Sequence, residues 1–294
     1  MSRSAGARAN RRGEAPPSPE PLPLPAVDSH THLDIVLGER PAGDEHGEWA
    51  ADEAVDGEIA AAVAVGVPRL VQVGVDVASS RWSAALAERH PNVLAAVALH
   101  PNEAGAGAAT DDALAEIDRL AALPRVRAVG ETGLDRFRTG PDGWAAQEAS
   151  FRAHIRIAEE RGVALVIHDR DAHEEILRVL DDEGAPEHVV LHCFSGDAAF
   201  AEACVARGFV LSFAGTLTFG NAGNLREAAA LAPVGQLLVE TDAPFLTPAP
   251  YRGRPNASRL VPHTVRALAD VTGVQLEELC GHLTANAERV FGTW

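Results

Sequence analysis

The sequence predicts an α/β fold and, within that class, a (β/α)8 TIM barrel. Three observations point there. Eight short apolar runs recur from residue 26 onward. Stretches rich in Ala, Leu, Glu and Arg fill most of the gaps between them. The repeating pattern occupies residues 26–294, close to the ~250 residues typical of such a barrel.

Taken in order, strands are expected at residues 26–30, 70–75, 93–99, 126–130, 164–168, 189–192, 209–213 and 237–240. Each is apolar on both faces, as strands are when helices cover the outside of a parallel sheet. Helices are expected between them at 80–89, 111–122, 145–161, 172–182, 198–207, 224–231 and 262–272. The stretch 145–161 shows why: its apolar positions 151, 155 and 158 recur at helical spacing. The first strand runs into His30-Thr31-His32 with no Gly-rich turn, which argues against a doubly wound dinucleotide-binding sheet. A last helix at 275–290 carries Leu276, Leu279, Leu283 and Val290 on one side and is read as closing the barrel. Residues 26–294 are read as a single barrel domain. Residues 1–25, rich in Arg, Ala, Ser and Pro, are expected to be a disordered tail. No apolar stretch follows Arg11-Arg12, so no secretion signal is expected.

Composition removes several functions. Apolar residues make up 46% and charged residues 23% of the 294, which excludes a disordered, collagen-like or coiled-coil chain. All 25 basic residues are Arg. A Schiff-base lysine, a phosphate-loop lysine and a carbamylated lysine bridging two metals are therefore excluded, and any bridging ligand must be a carboxylate. The net charge of −17 rules out a uniformly basic nucleic-acid surface but not a local basic site. Three cysteines, Cys193, Cys204 and Cys280, imply no disulfide framework and suit a reducing, cytoplasmic location. No apolar run reaches the ~18–20 residues of a membrane span, so no membrane partner is expected. A monomer is the expected state.

The chemistry gathers at strand ends. His30 and His32 lie two apart, which puts both on one strand face and makes half of a divalent-metal site. Asp28 shares that face. There it either orients a ligating imidazole or makes a loop-start hydrogen bond. Glu131 directly follows an apolar run, and a carboxylate buried there is costly unless paired or metal-bound. Asp135 beyond it is read as a cap. His168 and His192 end adjacent strands, each after three apolar residues. One such histidine usually packs in the core; two at matching positions point to function. Asp242 ends the eighth strand, where barrels place catalytic carboxylates. Four histidines and two carboxylates suit two metals roughly 3.5–4 Å apart sharing a carboxylate. With no Lys in the chain, Glu131 is the expected bridge.

The motifs Asp28-Ser29-His30-Thr31-His32-Leu33-Asp34, Leu99-His100-Pro101, Gly130-Glu131-Thr132-Gly133-Leu134-Asp135 and Ile167-His168-Asp169-Arg170-Asp171-Ala172 follow one another. His192-Cys193-Phe194-Ser195-Gly196, Glu240-Thr241-Asp242-Ala243-Pro244 and Arg252-Gly253-Arg254 come after them. As a set, spanning residues 26–293, they resemble the TatD family of metal-dependent deoxyribonucleases, part of the wider metallo-dependent hydrolase barrels. The resemblance implies two divalent ions. His30, His32, Glu131 and Asp242 would hold one; Glu131, His168 and His192 would hold the other. Glu131 and Asp242 would be the catalytic carboxylates, with Asp242 accepting a proton from the attacking water. The implied activity is hydrolysis of DNA phosphodiester bonds from the 3′ ends of single strands. Imidazole ligands suit Zn²⁺ or Mn²⁺, whereas phosphate chemistry often uses Mg²⁺.

Substrate contacts are expected from His100, Arg170, Arg252 and Arg254, with Arg136 and Arg138 also close to strand tips. A few guanidinium groups beside two dications can hold one or two phosphates at a strand end. Long duplexes need many more such contacts, so the charge favours single strands or small phosphodiesters. Cys193 is read as packing into the helical layer. The family commonly has Glu after the Asn beyond the last strand, where this chain has Asn256-Ala257-Ser258. The loop at 38–49 is acidic and would repel phosphate at the mouth or act as a solvated flap. A second enzymatic reading is hydrolysis of another ester or an amide, such as an aminoacyl-tRNA ester or a cyclic amide, because the same centre polarises a carbonyl. A binding barrel without turnover is a third reading, and the complete ligand set argues against it.

Overall fold

The computed structural model describes residues 13–38 and 52–294; the acidic loop and the first twelve residues lie outside the described residues. Eight parallel strands form one sheet in the order of the chain. They are β1 (Val27–Thr31), β2 (Arg69–Val73), β3 (Val93–Val97), β4 (Val126–Asp135), β5 (Ala164–Arg170), β6 (Val189–Leu191), β7 (Val210–Phe213) and β8 (Leu237–Val239). The fold is a (β/α)8 TIM barrel. The helices between the strands are α1 (Leu33–Leu37), α2 (Asp52–Val63), α3 (Val77–Arg89), α4 (Pro101–Gly105), α5 (Asp111–Ala121), α6 (Pro141–Arg161), α7 (His173–Glu183), α8 (Ala198–Ala206) and α9 (Gly223–Leu231). α10 (Val261–Thr272) and α11 (Leu276–Phe291) follow the last strand. Local sequence sets the boundaries. α6, for instance, opens with Pro141 in its first turn and stops at Gly162, whose φ of 61° lies in the left-handed region.

Although both strand faces are apolar, they serve two separate clusters. Leu70, Val93, Ala95 and Val97 face the helices. Val71, Val73, Leu94, Ala96, Val166 and Val190 fill the lumen. Ala287, Val290 and Phe291 of α11 join the lumen cluster, so the last helix plugs one end of the barrel. Each fully buried side chain of this size contributes about 1.5–3 kcal/mol relative to exposure.

The seam between β8 and β1 closes just beyond β8. Thr31 and Ala243 form a parallel bridge. His32 N–H donates to Ala243 O at 2.9 Å and Asp242 N–H to His30 O at 2.9 Å. The Asp28 carboxylate stitches the same seam, accepting the Thr241 N–H at 2.9 Å and its hydroxyl at 2.6 Å.

The segment before β1 is partly fastened down, against the expectation of a disordered tail. Leu22 is buried, and its backbone N–H donates to Val65 O at 3.1 Å. Arg266 donates to the carbonyls of Glu20 and Pro21, and Thr284 to that of Pro25. The prolines cannot donate in return, but their carbonyls remain free to accept.

Candidate active site

The C-terminal ends of the strands are less regular than the strands themselves. Between Asp28 and Thr31, three steps of β1 match two steps of β2. Between Val129 and Thr132, three steps of β4 match two of β5. Each is a bulge that re-aims a side chain: His30 in the first, Glu131 in the second. Gly133 allows β4 to lie close enough to β5. Its φ is 134°, and a Cβ there would sit 2.1 Å from His168 O. At the tips of β6 and β8, Cys193 (φ 44°) and Asp242 (φ 50°) occupy the left-handed region without being Gly. Such strain clusters at functional sites and costs on the order of 1–3 kcal/mol per residue.

These irregularities aim five imidazoles at one carboxylate. Glu131 Oε1 lies 2.6 Å from His168 Nδ1, 2.9 Å from His192 Nε2 and 3.3 Å from His100 Nε2. Glu131 Oε2 lies 3.5 Å from His30 Nε2 and 3.9 Å from His32 Nε2. Asp242 Oδ1 is 3.4 Å from His32 Nε2 and 3.8 Å from His30 Nε2. The two oxygens of Glu131 therefore face two different groups. His30, His32 and Asp242 form one donor set, and His100, Glu131 and His168 form another.

The far sides of the rings are held as well. His32 Nδ1 meets Val73 O at 3.1 Å, and His192 Nδ1 meets Glu240 Oε1 at 3.2 Å. Glu240 is fully buried and also accepts from Cys193 N–H and the Ser212 hydroxyl. With those partners it orients His192. Asp135 does two things: Oδ1 accepts the N–H groups of Phe137 and Arg138, and Oδ2 stands 3.4 Å from His168 Nε2.

The electrostatics follow from this crowding. Burial raises the Glu131 pKa, but the charges of His192 and His100 and hydrogen bonds from His100 and His168 hold it well below the usual carboxylate range. Burial works against the His32 cation, yet the hydrogen bond and charge of Asp242, with Glu131 and Asp34, raise its pKa to about 9. His192 is also raised despite burial, by Glu131 and Glu240. His30 is lowered, by burial and by the neighbouring His192. Asp28 is raised to about 7, chiefly by burial.

The donor set suits a divalent cation. Imidazole nitrogens and carboxylate oxygens converge, and His30 Nε2 and His32 Nε2 lie 3.2 Å apart. His168 Nε2 is buried and, although Asp135 Oδ2 stands 3.4 Å away, makes no well-formed hydrogen bond. A cation would satisfy this group more fully than imidazolium–carboxylate pairs do.

The family model described as TatD related DNase matches residues 27–292. The chain belongs to the TatD family. Among its relatives is a Mycobacterium tuberculosis protein named uncharacterized metal-dependent hydrolase TatD. It is 48% identical over 270 residues, 90% of this chain and 97% of the relative. The Citrobacter rodentium protein named 3′-5′ ssDNA/RNA exonuclease TatD is 35% identical over 244 residues, 81% of this chain and 91% of the relative. Among solved structures, the Escherichia coli K12 TatD homolog YjjV superposes with a TM-score of 0.80 at 25% identity. It covers 90% of this chain and 97% of its own. The protein is accordingly a metal-dependent hydrolase of the TatD family.

All six residues expected as metal ligands meet at one end of this TatD-type barrel. His100, expected on the substrate, lines the cavity and also stands 3.3 Å from Glu131. The cluster opens into a cavity of about 900 Å³ whose wall includes Arg138, Arg170, Arg252 and Arg254. Arg136 is not part of that wall; it pairs with Glu175 at 3.3 Å and lies 4.6 Å from the Trp144 ring centre. Cys193 also departs from expectation. Its left-handed backbone breaks the strand alternation and turns it onto the cavity wall. Burial and the charges of Asp242, Glu240 and Glu131 push its thiol pKa up, which makes it a poor nucleophile. Asp28 orients no imidazole ring, being engaged with Thr241. Asn256 is buried and donates to Thr241 O and Phe245 O, fixing the loop beyond β8. Ala257 is buried beside it. Glu240 was missed as a functional residue; an acidic residue straight after Leu237-Leu238-Val239 was the available signal.

Proposed function

We propose that this TatD-family hydrolase is a phosphodiesterase that shortens single-stranded DNA from the 3′ end. His30, His32, Glu131 and Asp242 would hold one divalent ion, and Glu131, His168 and His192 a second. When bound, two such ions supply a water acidified toward neutral pH and a clamp for phosphoryl oxygens. The protein side of the reaction follows from the geometry. Glu131 keeps the two donor sets in register, since each of its oxygens faces one of them. Asp242, ionised at neutral pH and lining the cavity, accepts the proton of the attacking water. Glu240 holds the His192 ring so that Nε2 points at Glu131.

The observation that carries the substrate reading is the state of the arginines. Among the described residues, Arg138, Arg170, Arg252 and Arg254 take part in no ion pair, and all four line the cavity. Many other arginines are ion-paired, as Arg152 is with Glu148, Asp182 and Glu183, and Arg125, Arg226 and Arg266 are held by backbone carbonyls. In a chain of net charge −17, four guanidinium groups around one opening, none of them ion-paired among the described residues, suit a few phosphates of a strand end. A relative carrying the name of a single-strand exonuclease supports the same reading. No helix among the described residues is long and apolar enough to cross a membrane, and three free thiols suit a reducing, cytoplasmic setting.

The test uses metal-stripped protein restored with Mg²⁺, Mn²⁺ or Zn²⁺ and single-stranded DNA labelled at its 5′ end. The expected result is a ladder shortening from the 3′ end, absent in Glu131→Gln. No cleavage by protein shown to hold metal would move the assignment to ester or amide substrates.

A further inference from the structure

Phe137 stands out on the rim of the cavity. It is 67% exposed, the most exposed large apolar side chain among the described residues; the others lie between 36% and 45%. Its backbone is fixed, because its N–H donates to Asp135 Oδ1 at 2.9 Å while the other oxygen of Asp135 faces His168. The Arg170 guanidinium lies 5.0 Å from its ring centre, and both side chains line the cavity that holds the imidazole cluster. Phe219 offers a contrast on the same wall. It packs on the core, and Arg252 lies over its ring at 3.9 Å. Phe219 is thus committed to packing, whereas the Phe137 ring joins neither apolar cluster of the described residues.

We propose that Phe137, with Arg170 beside it, is the stacking platform for an unpaired nucleobase of the strand whose phosphate enters the cavity. An aromatic face in water accepts any base, because every base has a π-face. The guanidinium next to it contacts the adjoining phosphate. Bases inside a duplex already stack on their neighbours, so the platform selects single strands. This inference rests on the phosphodiesterase reading above.

The experiment compares full-length, metal-loaded wild type with Phe137→Ala and Phe137→Tyr on two single strands. One carries 2-aminopurine as its 3′-terminal base, and the other has a base-free residue there. Quenching of 2-aminopurine on rapid mixing, before the terminal nucleotide is removed, reports stacking apart from turnover. The expected result is quenching by wild type and Phe137→Tyr but not by Phe137→Ala. KM should rise about tenfold in Phe137→Ala, with kcat changed less. That penalty should shrink at least about fivefold on the base-free strand. Wild-type cleavage with equal quenching and KM in Phe137→Ala would overturn this inference alone. A penalty of the same size on both strands would also overturn it. A wild type that neither binds nor cuts either strand would overturn the phosphodiesterase reading together with it.

Discussion

At the N-terminal end of the barrel the lumen holds Val27, Val71, Leu94, Ala128, Val166 and Leu238, and Val290 and Phe291 of α11 seal it. At the C-terminal end the same strands or their tips deliver His30, Glu131, His168, His192 and Asp242. One end has apolar side chains and a single register shift, where Ala95 and Ala96 of β3 pair with Val126 and Ala128 of β4; the other has two bulges that carry His30 and Glu131 and two residues in left-handed backbone. The difference shows where stability and chemistry are kept apart. The lower lumen holds the strands together, and that support lets the upper ends carry strained backbone and like-charged groups at close range.

The comparison breaks most clearly at Glu131. Glu131→Gln should lower kcat/KM by at least about 10³-fold, while thermal unfolding of the metal-free protein shifts by only a few degrees. Equal loss of stability and activity would mean that the two ends are not separable. The converse change is Phe291→Ala, which should cost about 3–5 kcal/mol in denaturant unfolding. At a temperature where that variant is folded, its KM should match wild type, because Phe291 lies at the opposite end of the lumen.

Much of this division was readable beforehand. The six expected ligands each end or follow an apolar run, and the cost of burying a charge there identifies them. What escaped had physical reasons. β4 continues five residues past its expected end at Gly130, because Gly130 and Gly133, residues that usually weaken a strand, here permit close approach to β5. The bulges leave no periodic trace. Glu240 looks like the continuation of a strand, and its role appears only when His192 and Ser212 are seen beside it. Leu22 is one apolar residue among prolines, so its burial against the barrel could not be read from composition.

Glu240 sharpens the comparison on a smaller scale. Glu240→Gln keeps a hydrogen-bonding group but removes the charge facing His192. Metal affinity measured by calorimetry should fall about 10–100-fold, with unfolding little changed. An unchanged affinity would show that Glu240 serves only Ser212 and the backbone of Cys193.

The pH dependence of metal affinity is the mildest test. A cation must displace protons from imidazoles that are held charged, and the pKa of His32 is raised to about 9. Its proton is bound below that value and must leave on metal binding, so affinity rises with pH. The His32 proton alone corresponds to a slope of about tenfold per pH unit up to about pH 9, and the raised His192 makes the slope steeper. Chelator competition across pH 6–9 measures the slope, and a flat profile would contradict the imidazolium–carboxylate arrangement.

The central proposal is that Glu131, whose two oxygens face two donor sets, would serve two cation sites. Its most direct test is metal content by mass spectrometry after saturating the stripped protein with Mn²⁺ or Zn²⁺ and removing excess. The account predicts two ions per chain in the wild type and a loss of bound ions in folded Glu131→Gln. One ion per chain in the wild type, or two retained without the Glu131 carboxylate, would contradict it.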